Sequence, residues 1–328
     1  MRIAIVGAGS IGGLIGSRLA AAGRVEVSAL ARGETLSALR QHGWRLRSPD
    51  GDVQVAARAA DQATELGPQD AVIIAVKAPA LPGLVPRLGP LIAPHTLIVP
   101  AMNGVPWWFC ERVCGFEGQT LLSVDPQGLL ARHLPAAQVV GCVVHAAASS
   151  PQPGVVQHRM GRGLILGEPW GGQSPRVQAL CDVLAQAGFE LTHSPHIRRD
   201  IWFKLWGNLT MNPVSALTRA TMDQVLGDPL LRDFCSQAML EASRIGARID
   251  CPIAQSPEER HAITEKLGAV KTSMLQDVEA GRPIELDAIV TAVHEIGLRL
   301  GEPMPAISGL LGLTRVMARR LSLLSASA

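Results

Sequence analysis

The sequence feature that most constrains the fold is a glycine-rich loop near the start of the chain. It follows a short, apolar, β-branched run, Arg2–Val6, of the kind that forms a buried strand of a parallel sheet. After it, residues 13–22 carry small and apolar side chains at helical spacing. The loop between them reads Gly7-Ala8-Gly9-Ser10-Ile11-Gly12.

Each glycine of this loop has its own physical reason. Gly7 allows a tight turn, Gly9 lets the backbone approach a pyrophosphate, and Gly12 lets the helix pack closely on the strand. The start of the helix then offers free N–H groups to the phosphates. The pattern therefore predicts a site for a dinucleotide cofactor, formed by residues 7 to 12.

A second predicted strand, Val25–Leu30, distinguishes between the two nicotinamide cofactors. A site for NAD usually has an acidic residue at the end of this strand, whereas this chain has Ala31-Arg32-Gly33. The Arg32 guanidinium suits a 2′-phosphate, so we expect NADP(H). The alternative is an ordinary surface arginine.

Further apolar runs predict more strands and one more helix in the first part of the chain: strands Asp70–Val76, Leu97–Pro100, Val139–Ala147 and Val155–Leu166, and a helix Ser174–Gly188. Ligands of open α/β sheets collect at the carboxyl ends of the strands. Lys77 and Asn103 both follow such ends, although Asn103 before Gly104 could also be a plain turn residue.

From Pro195 onwards the strand-like runs give way to long helical patterns. After a first helix around Lys204, we predict the helices Pro229–Ala247, Pro257–Glu279, Ile284–Leu300 and Pro305–Leu321. The sequence thus predicts an α/β protein with an N-terminal Rossmann-type doubly wound parallel sheet, followed by an all-α C-terminal domain. The predicted domains are residues 1–194 and 195–328.

The helix around Lys204 carries a polar stripe. Lys204, Asn208 and Asn212 recur every four residues, so they project from one side of a helix. One ammonium and two carboxamides can bind and polarise an oxygen-rich substrate. The alternative is a solvated polar face. Because Asn212 precedes Pro213, we expect the helix to break or kink there.

A parallel apolar stripe on the same helix is formed by Ile201, Leu205 and Leu209, and we expect this stripe to pack against the protein. The two stripes together predict that the polar side chains face a cleft.

Composition excludes several classes of function. The net charge of the 328 residues is +2, which gives no general attraction to nucleic acid or to an anionic membrane. No apolar run reaches the length of a membrane span, and the glycines in the first 14 residues argue against a signal peptide. Six scattered cysteines predict reduced thiols in a cytoplasmic protein and no metal site.

These motifs together resemble the ketopantoate reductase (2-dehydropantoate 2-reductase) family over essentially the whole chain. The matching residues are Gly7 to Gly12, Val76-Lys77, Asn103-Gly104, Val144-His145-Ala146-Ala147, Trp202 to Asn208, Asn212-Pro213, Thr272 to Asp277 and Ile284 to Asp287. The array of Lys204, Asn208, Asn212 and Pro213, together with Ser273 to Asp277 before an acidic pair, is specific to this family, whereas the glycine motif is not. Where many members carry a further substrate-binding asparagine, this chain has Ala220-Thr221-Met222, a departure that concerns the substrate more than the chemistry.

The resemblance implies that NADPH reduces a 2-keto acid, in the first place 2-dehydropantoate, for pantothenate biosynthesis. It implies the following roles: proton donor, Lys204; substrate ligands, Asn208, Asn212 and Ser273; contact with substrate and nicotinamide, Asn103; cofactor side, Lys77, Ala147 and Glu285. The residues alone leave Glu285 open, because an acidic group near a helix start also favours the helix dipole.

Two other functions remain compatible with the sequence. One is a related NADP-dependent 2- or 3-hydroxy acid dehydrogenase with another substrate, and the other is a non-catalytic NADP sensor. The Lys204 array argues against a sensor, which needs no proton donor. With no arginine in the array we expect modest affinity for a carboxylate. The helical second domain offers a surface for a homodimer.

Overall fold

The computed structural model describes residues 1–324. Its internal contacts divide the chain into two compact units, residues 1–102 with 128–200 and residues 103–127 with 201–328. The segment 103–127 thus belongs to the second unit by contact, although it lies within the predicted first domain. The domain boundary at residue 194 remains a prediction.

Two sheets form the framework of the first unit. Its strands, numbered along the chain, are β1 Arg2–Val6, β2 Glu26–Leu30, β3 Trp44–Arg47, β4 Val53–Val55, β5 Arg58–Ala60, β6 Gln69–Ile74, β7 Ile92–Pro100, β8 Gly141–Gln152, β9 Val155–Gly167 and β10 Glu190–Ser194. The first sheet has the order β5-β2-β1-β6-β7, with every neighbouring pair parallel. This is the predicted Rossmann-type sheet.

The second sheet has the order β10-β9-β3-β4, and β8 pairs with β9 as an antiparallel hairpin. The two strands predicted at 139–147 and 155–166 therefore form this hairpin, with Pro153 and Gly154 in its turn. The short strands β3, β4, β5 and β10 were not predicted, because three to five residues give too little periodicity.

The helices of the first unit are α1 Ser10–Ala22, α2 Gly33–His42, α3 Leu81–Leu84, α4 Leu129–His133 and α5 Pro175–Gln186. Helix α1 packs between the two sheets. A Cβ atom at Gly12 would lie 3.0 Å from Ile5 Cγ2 of the first sheet, and one at Gly13 would lie 2.4 Å from Val156 Cγ2 of the second. Small residues on α1 thus bring both sheets close to one helix.

Within residues 1–324, the regular secondary structure of the second unit is helical. Its elements are α6 Ile197–Thr218 (which begins in the first unit), α7 Met222–Gly227, α8 Pro229–Arg248, α9 Pro257–Glu265, α10 Ser273–Glu279, a π-helix Asp287–Thr291, α11 Ala292–Leu300 and α12 Pro305–Arg320. Proline at the first helical position and a polar N-cap define several starts. For example, Asp228 accepts from the N–H of Leu231 at 3.0 Å.

Helix α6 is fixed against α8 by two tryptophans. Trp202 and Trp206 are each 1% exposed, and their indole N–H groups donate to the carbonyls of Ala242 at 3.3 Å and Met239 at 2.7 Å. The predicted apolar stripe is confirmed, because Ile201, Leu205 and Leu209 are all buried.

Two predicted helix boundaries were wrong. Helix α6 continues through Asn212 and Pro213 to Thr218 without a break, since residues 209–216 are all buried and their packing outweighs the local preference before proline. The predicted helix Pro257–Glu279 is two helices, because Gly268 adopts a φ of 71° between them. No described helix has both the length and the apolar composition needed to cross a bilayer.

Candidate active site

The glycine loop connects β1 to α1 in the first unit. Gly7 has a φ of 90°, and a Cβ atom there would lie 2.5 Å from Val76 Cγ1. A Cβ atom on Gly12 would lie 2.1 Å from the carbonyl oxygen of Gly7. Gly9 is exposed and has no atom within 4 Å of its Cβ position. The loop therefore leaves open space above Gly9 at the start of a 13-residue helix.

The loops that follow the parallel strands are hydrogen-bonded to one another. The N–H of Gly7 donates to Leu30 O at 3.1 Å, and that of Ala75 donates to Val6 O at 2.9 Å. Consequently the glycine loop and the segments leading to Arg32 and Lys77 lie along one edge of the sheet, at the carboxyl ends of its strands.

The remaining first-unit candidates lie in different settings. Arg32 is exposed at the N-cap of α2, and its guanidinium makes no hydrogen bond or ion pair with another residue in 1–324. Lys77 is partly buried three residues after β6, directly before a short 3-10 helix. Ala147 is exposed on β8, opposite Met160.

In the second unit the structure joins two candidates that are 101 positions apart. The Nζ atom of Lys204 donates a hydrogen bond to Asn103 Oδ1 over 2.8 Å. Both side chains are partly buried. This hydrogen bond restrains the end of a long, flexible side chain.

The loop that carries Asn103 is held by the π-helix. The N–H of Val105 donates to the carbonyl of Ala288 at 2.8 Å. Gly104 packs against the same carbonyl and has a φ of 87°. A Cβ atom on Gly104 would lie 2.5 Å from Ala288 O. A side chain at position 104 would push this loop away, so glycine is needed to place Asn103.

Glu285 lies just before the same π-helix and is 9% exposed. The backbone carbonyl of Glu285 accepts a hydrogen bond from the N–H of Ile289 at 3.2 Å, and this bond lies at the start of the helix. The carboxylate is thus part of the protein interior rather than of its solvated surface.

The other polar candidates differ in burial. Asn208 is partly buried and Asn212 is 4% exposed, one turn apart on α6. The Nδ2 atom of Asn212 has no hydrogen-bond partner in the described residues, although a buried amide without one is costly. Ser273 is exposed at the first position of α10, and its hydroxyl makes no hydrogen bond within 1–324.

The fold and the site define a two-part class of protein. Its first part is a Rossmann-type sheet with a glycine-rich loop, and its second part is helical and carries a lysine and two asparagines on one helix. Two family models match this chain. The description "Ketopantoate reductase PanE/ApbA" covers residues 3–170, and "Ketopantoate reductase PanE/ApbA C terminal" covers residues 196–318. The chain belongs to the ketopantoate reductase family.

Known relatives span the whole chain. A protein of Mesorhizobium japonicum named 2-dehydropantoate 2-reductase is 41% identical over 97% of this chain and 98% of its own length. A crystal structure from Ralstonia solanacearum, which carries a provisional ketopantoate reductase name, is 51% identical with a TM-score of 0.94, covering 98% of this chain and 99% of the other. A 2-dehydropantoate 2-reductase from Geobacter metallireducens is 27% identical with a TM-score of 0.83, covering 97% and 100%.

Sequence reasoning missed two participants in this region. The carbonyl of Ala288 supports the Asn103 loop, and no side-chain pattern marks a backbone acceptor. Arg260 of α9 packs against α6 beside the polar stripe, within 3.1 Å of the Cβ position of Gly207. Arg260 is recognised as a neighbour of the polar stripe only from the tertiary contact between α9 and α6.

Proposed function

We propose that this protein uses NADPH to reduce a 2-keto acid, and that the acid is 2-dehydropantoate, which becomes pantoate in pantothenate biosynthesis. The observation that carries the proposal is the hydrogen bond of Lys204 to Asn103, on a helix that also presents Asn208 and Asn212. Membership of the ketopantoate reductase family and the name of the 41% identical relative support the substrate.

The first unit fits a dinucleotide. The open space over Gly9 and the start of α1 suit a pyrophosphate, and a Cβ atom at position 9 would fill part of that space. Arg32, exposed and without a partner in 1–324, suits a 2′-phosphate and so favours NADP(H) over NAD(H). Lys77 and Ala147 are proposed as further contacts on the cofactor side.

NADPH, when bound, supplies the hydride that reduces the keto carbon. As the carbonyl oxygen gains negative charge, the Nζ atom of Lys204 stabilises that charge and then transfers a proton to the oxygen. Asn103 orients the ammonium before the reaction, because its Oδ1 atom already accepts one of the Nζ hydrogens. Preorganisation of this kind removes the cost of moving a flexible lysine during reduction.

Asn208, Asn212 and Ser273 are proposed to bind the hydroxyl and carboxylate of the acid. The unpartnered Nδ2 atom of Asn212 supports this role, since a ligand oxygen would supply the hydrogen bond that the protein does not. Glu285, buried next to the π-helix that supports the Asn103 loop, is proposed to act on Lys204 or on the nucleotide.

Three broader expectations belong with this proposal. The division into a cofactor domain, 1–194, and a helical substrate domain, 195–328, is supported by the limits of the two family models. A homodimer through the helical part is supported by exposed Leu298, Leu313 and Val316 on α11 and α12. A location in the cytoplasm remains a prediction.

The test is a direct assay of the full-length protein. NADPH absorbance is followed with a panel of 2-keto acids that includes 2-dehydropantoate, and the pantoate formed is identified by mass spectrometry. We expect the highest kcat/KM with 2-dehydropantoate. A clearly higher kcat/KM with another keto acid would replace the substrate and keep the chemistry, whereas no NADPH oxidation with any keto acid would refute the reaction.

A further inference from the structure

Arg260 lies on a helix that is firmly fixed to its neighbour. Helix α9 starts with a capping box in which Ser256 and Glu259 satisfy each other's backbone N–H groups. Arg232 of α8 forms ion pairs with Glu258 and, at 2.5 Å, with Glu265, one near each end of α9. These contacts set the rotation of α9 and therefore the side on which Arg260 projects.

The Arg260 guanidinium packs on the helix that carries Lys204. Its Cζ atom lies over the ring of Phe203, 5.1 Å from the centroid. A Cβ atom at Gly207 would lie 3.1 Å from both Nε and Nη2, so glycine at this position lets the guanidinium approach the helix. The cation is thus held in place by packing rather than by an acid.

Arg260 has no acidic partner among residues 1–324. It is partly buried, its Nε atom is inaccessible to solvent, and that atom has no hydrogen-bond acceptor. Five other arginines of the second unit, in contrast, pair with a carboxylate: Arg232, Arg244, Arg248, Arg282 and Arg299. Burial lowers the pKa of the Arg260 guanidinium from its ordinary value, as expected for a cation that has lost water without gaining a counter-ion.

We propose that Arg260 is a specificity-determining residue that binds the substrate carboxylate next to the keto group. Gly207 and Lys204 are three residues apart on α6, so their Cβ positions are about 5–6 Å apart. One small 2-keto acid can therefore place its keto oxygen at Lys204 and its adjacent carboxylate at the guanidinium beside Gly207. This inference rests on the proposed reduction of a 2-keto acid, and it adds a charged ligand to the neutral Asn208, Asn212 and Ser273.

The test compares a charged substrate with a neutral one. KM and kcat are measured for the best 2-keto acid and for its methyl ester, with the unaltered protein and with Arg260→Met. Loss of a charge-assisted contact predicts a KM for the acid about 10- to 100-fold higher, with kcat, the KM for NADPH and the KM for the ester little changed. Equal changes for acid and ester, or no change for either, would overturn the assignment.

Further variants separate position from charge and from folding. Gly207→Ala keeps the cation but displaces it, and should raise the KM for the acid in the same direction by a smaller factor. Arg319→Met removes an exposed charge from the last turn of α12 and should leave both constants unchanged. Matching far-UV circular dichroism and Tm values confirm that Arg260→Met is folded.

Failure of the proposed reaction is distinguishable from failure of this inference. Calorimetric binding of 2-dehydropantoate to the NADP⁺-loaded protein reports on Arg260 without turnover. Weaker binding to Arg260→Met supports the assignment even if the unaltered protein oxidises no NADPH. Equal binding to both proteins overturns it even if the reduction proceeds.

Discussion

The Nζ atom of Lys204 donates to Oδ1 of Asn103 over 2.8 Å. Lys204 lies in the middle of a 22-residue helix, and Asn103 lies in a loop that is anchored on Ala288. One hydrogen bond therefore joins a rigid helix to the loop after the last strand of the first sheet. The position of the lysine depends on both the helix and this loop. The first two substitutions below change residues near Lys204 and leave Lys204 itself in place.

Gly104→Ala should disturb the loop that holds Asn103. The new Cβ atom would lie 2.5 Å from Ala288 O at a φ of 87°, so we expect a loss of about 1–3 kcal/mol in unfolding free energy and a lower kcat. Urea unfolding and steady-state assays measure both. Gly118→Ala is the control, because Gly118 has a φ of 71° but open space around it. Equal losses in the two variants would show that the contact with Ala288 is unimportant.

Asn212→Leu should separate stability from function. The substitution removes a buried Nδ2 atom that has no partner, so the unfolding free energy should rise by about 1–3 kcal/mol. The KM for the keto acid should rise as well, because Asn212 is proposed to bind the substrate. Asn208→Leu, at a partly exposed position, should raise the KM without the gain in stability. A less stable Asn212→Leu protein would indicate that the protein itself satisfies the amide.

Gly9→Ala should weaken the cofactor without harming the fold. No atom lies within 4 Å of the new Cβ, so Tm should stay close to that of the unaltered protein. Since the methyl group enters the proposed pyrophosphate space, Kd for NADPH should rise about tenfold or more. Gly83→Ala, also in open space, is the matched control. Unchanged NADPH affinity in Gly9→Ala would place the pyrophosphate elsewhere.

Arg32→Ala should change the choice of cofactor. Because Arg32 is proposed to contact the 2′-phosphate, its loss should weaken NADPH binding by about 1–3 kcal/mol and leave NADH binding nearly unaffected. Fluorescence titration with both nucleotides gives the two affinities. Arg24→Ala removes an exposed charge just before the other end of β2 and should affect neither. Equal weakening of both nucleotides would argue against a phosphate contact.

The sequence predicted those parts of the fold that depend on local periodicity. The strand, loop and helix around Gly7, Gly9 and Gly12 follow from residue types and spacing alone, and so does the buried stripe of Ile201, Leu205 and Leu209. The continuation of α6 past Pro213 depends instead on burial by other helices, which no local preference contains.

Contacts between segments that are distant in the sequence could likewise not be predicted from residue types and spacing. The support of Gly104 by Ala288 joins positions 184 residues apart through a backbone carbonyl. Arg260 gives no periodic signal, and its place beside Gly207 depends on how α9 is fixed to α8. In contrast, Lys204 was a candidate from its place in a helical polar stripe and Asn103 from its place after a strand end. Both also match positions of the family pattern, and the structure adds the distance between them.

The most direct test of the account is the turnover of Lys204→Ala. NADPH affinity should remain near that of the unaltered protein, because the nucleotide is proposed to bind the first unit. Since the substitution removes a preorganised donor and the proton, kcat should fall by at least about 10²- to 10³-fold. Lys204→Arg should also be slow, because guanidinium transfers a proton poorly. A kcat for Lys204→Ala within about fivefold of the unaltered value would contradict the account, since a barrier change below about 1 kcal/mol leaves no role for a proton donor.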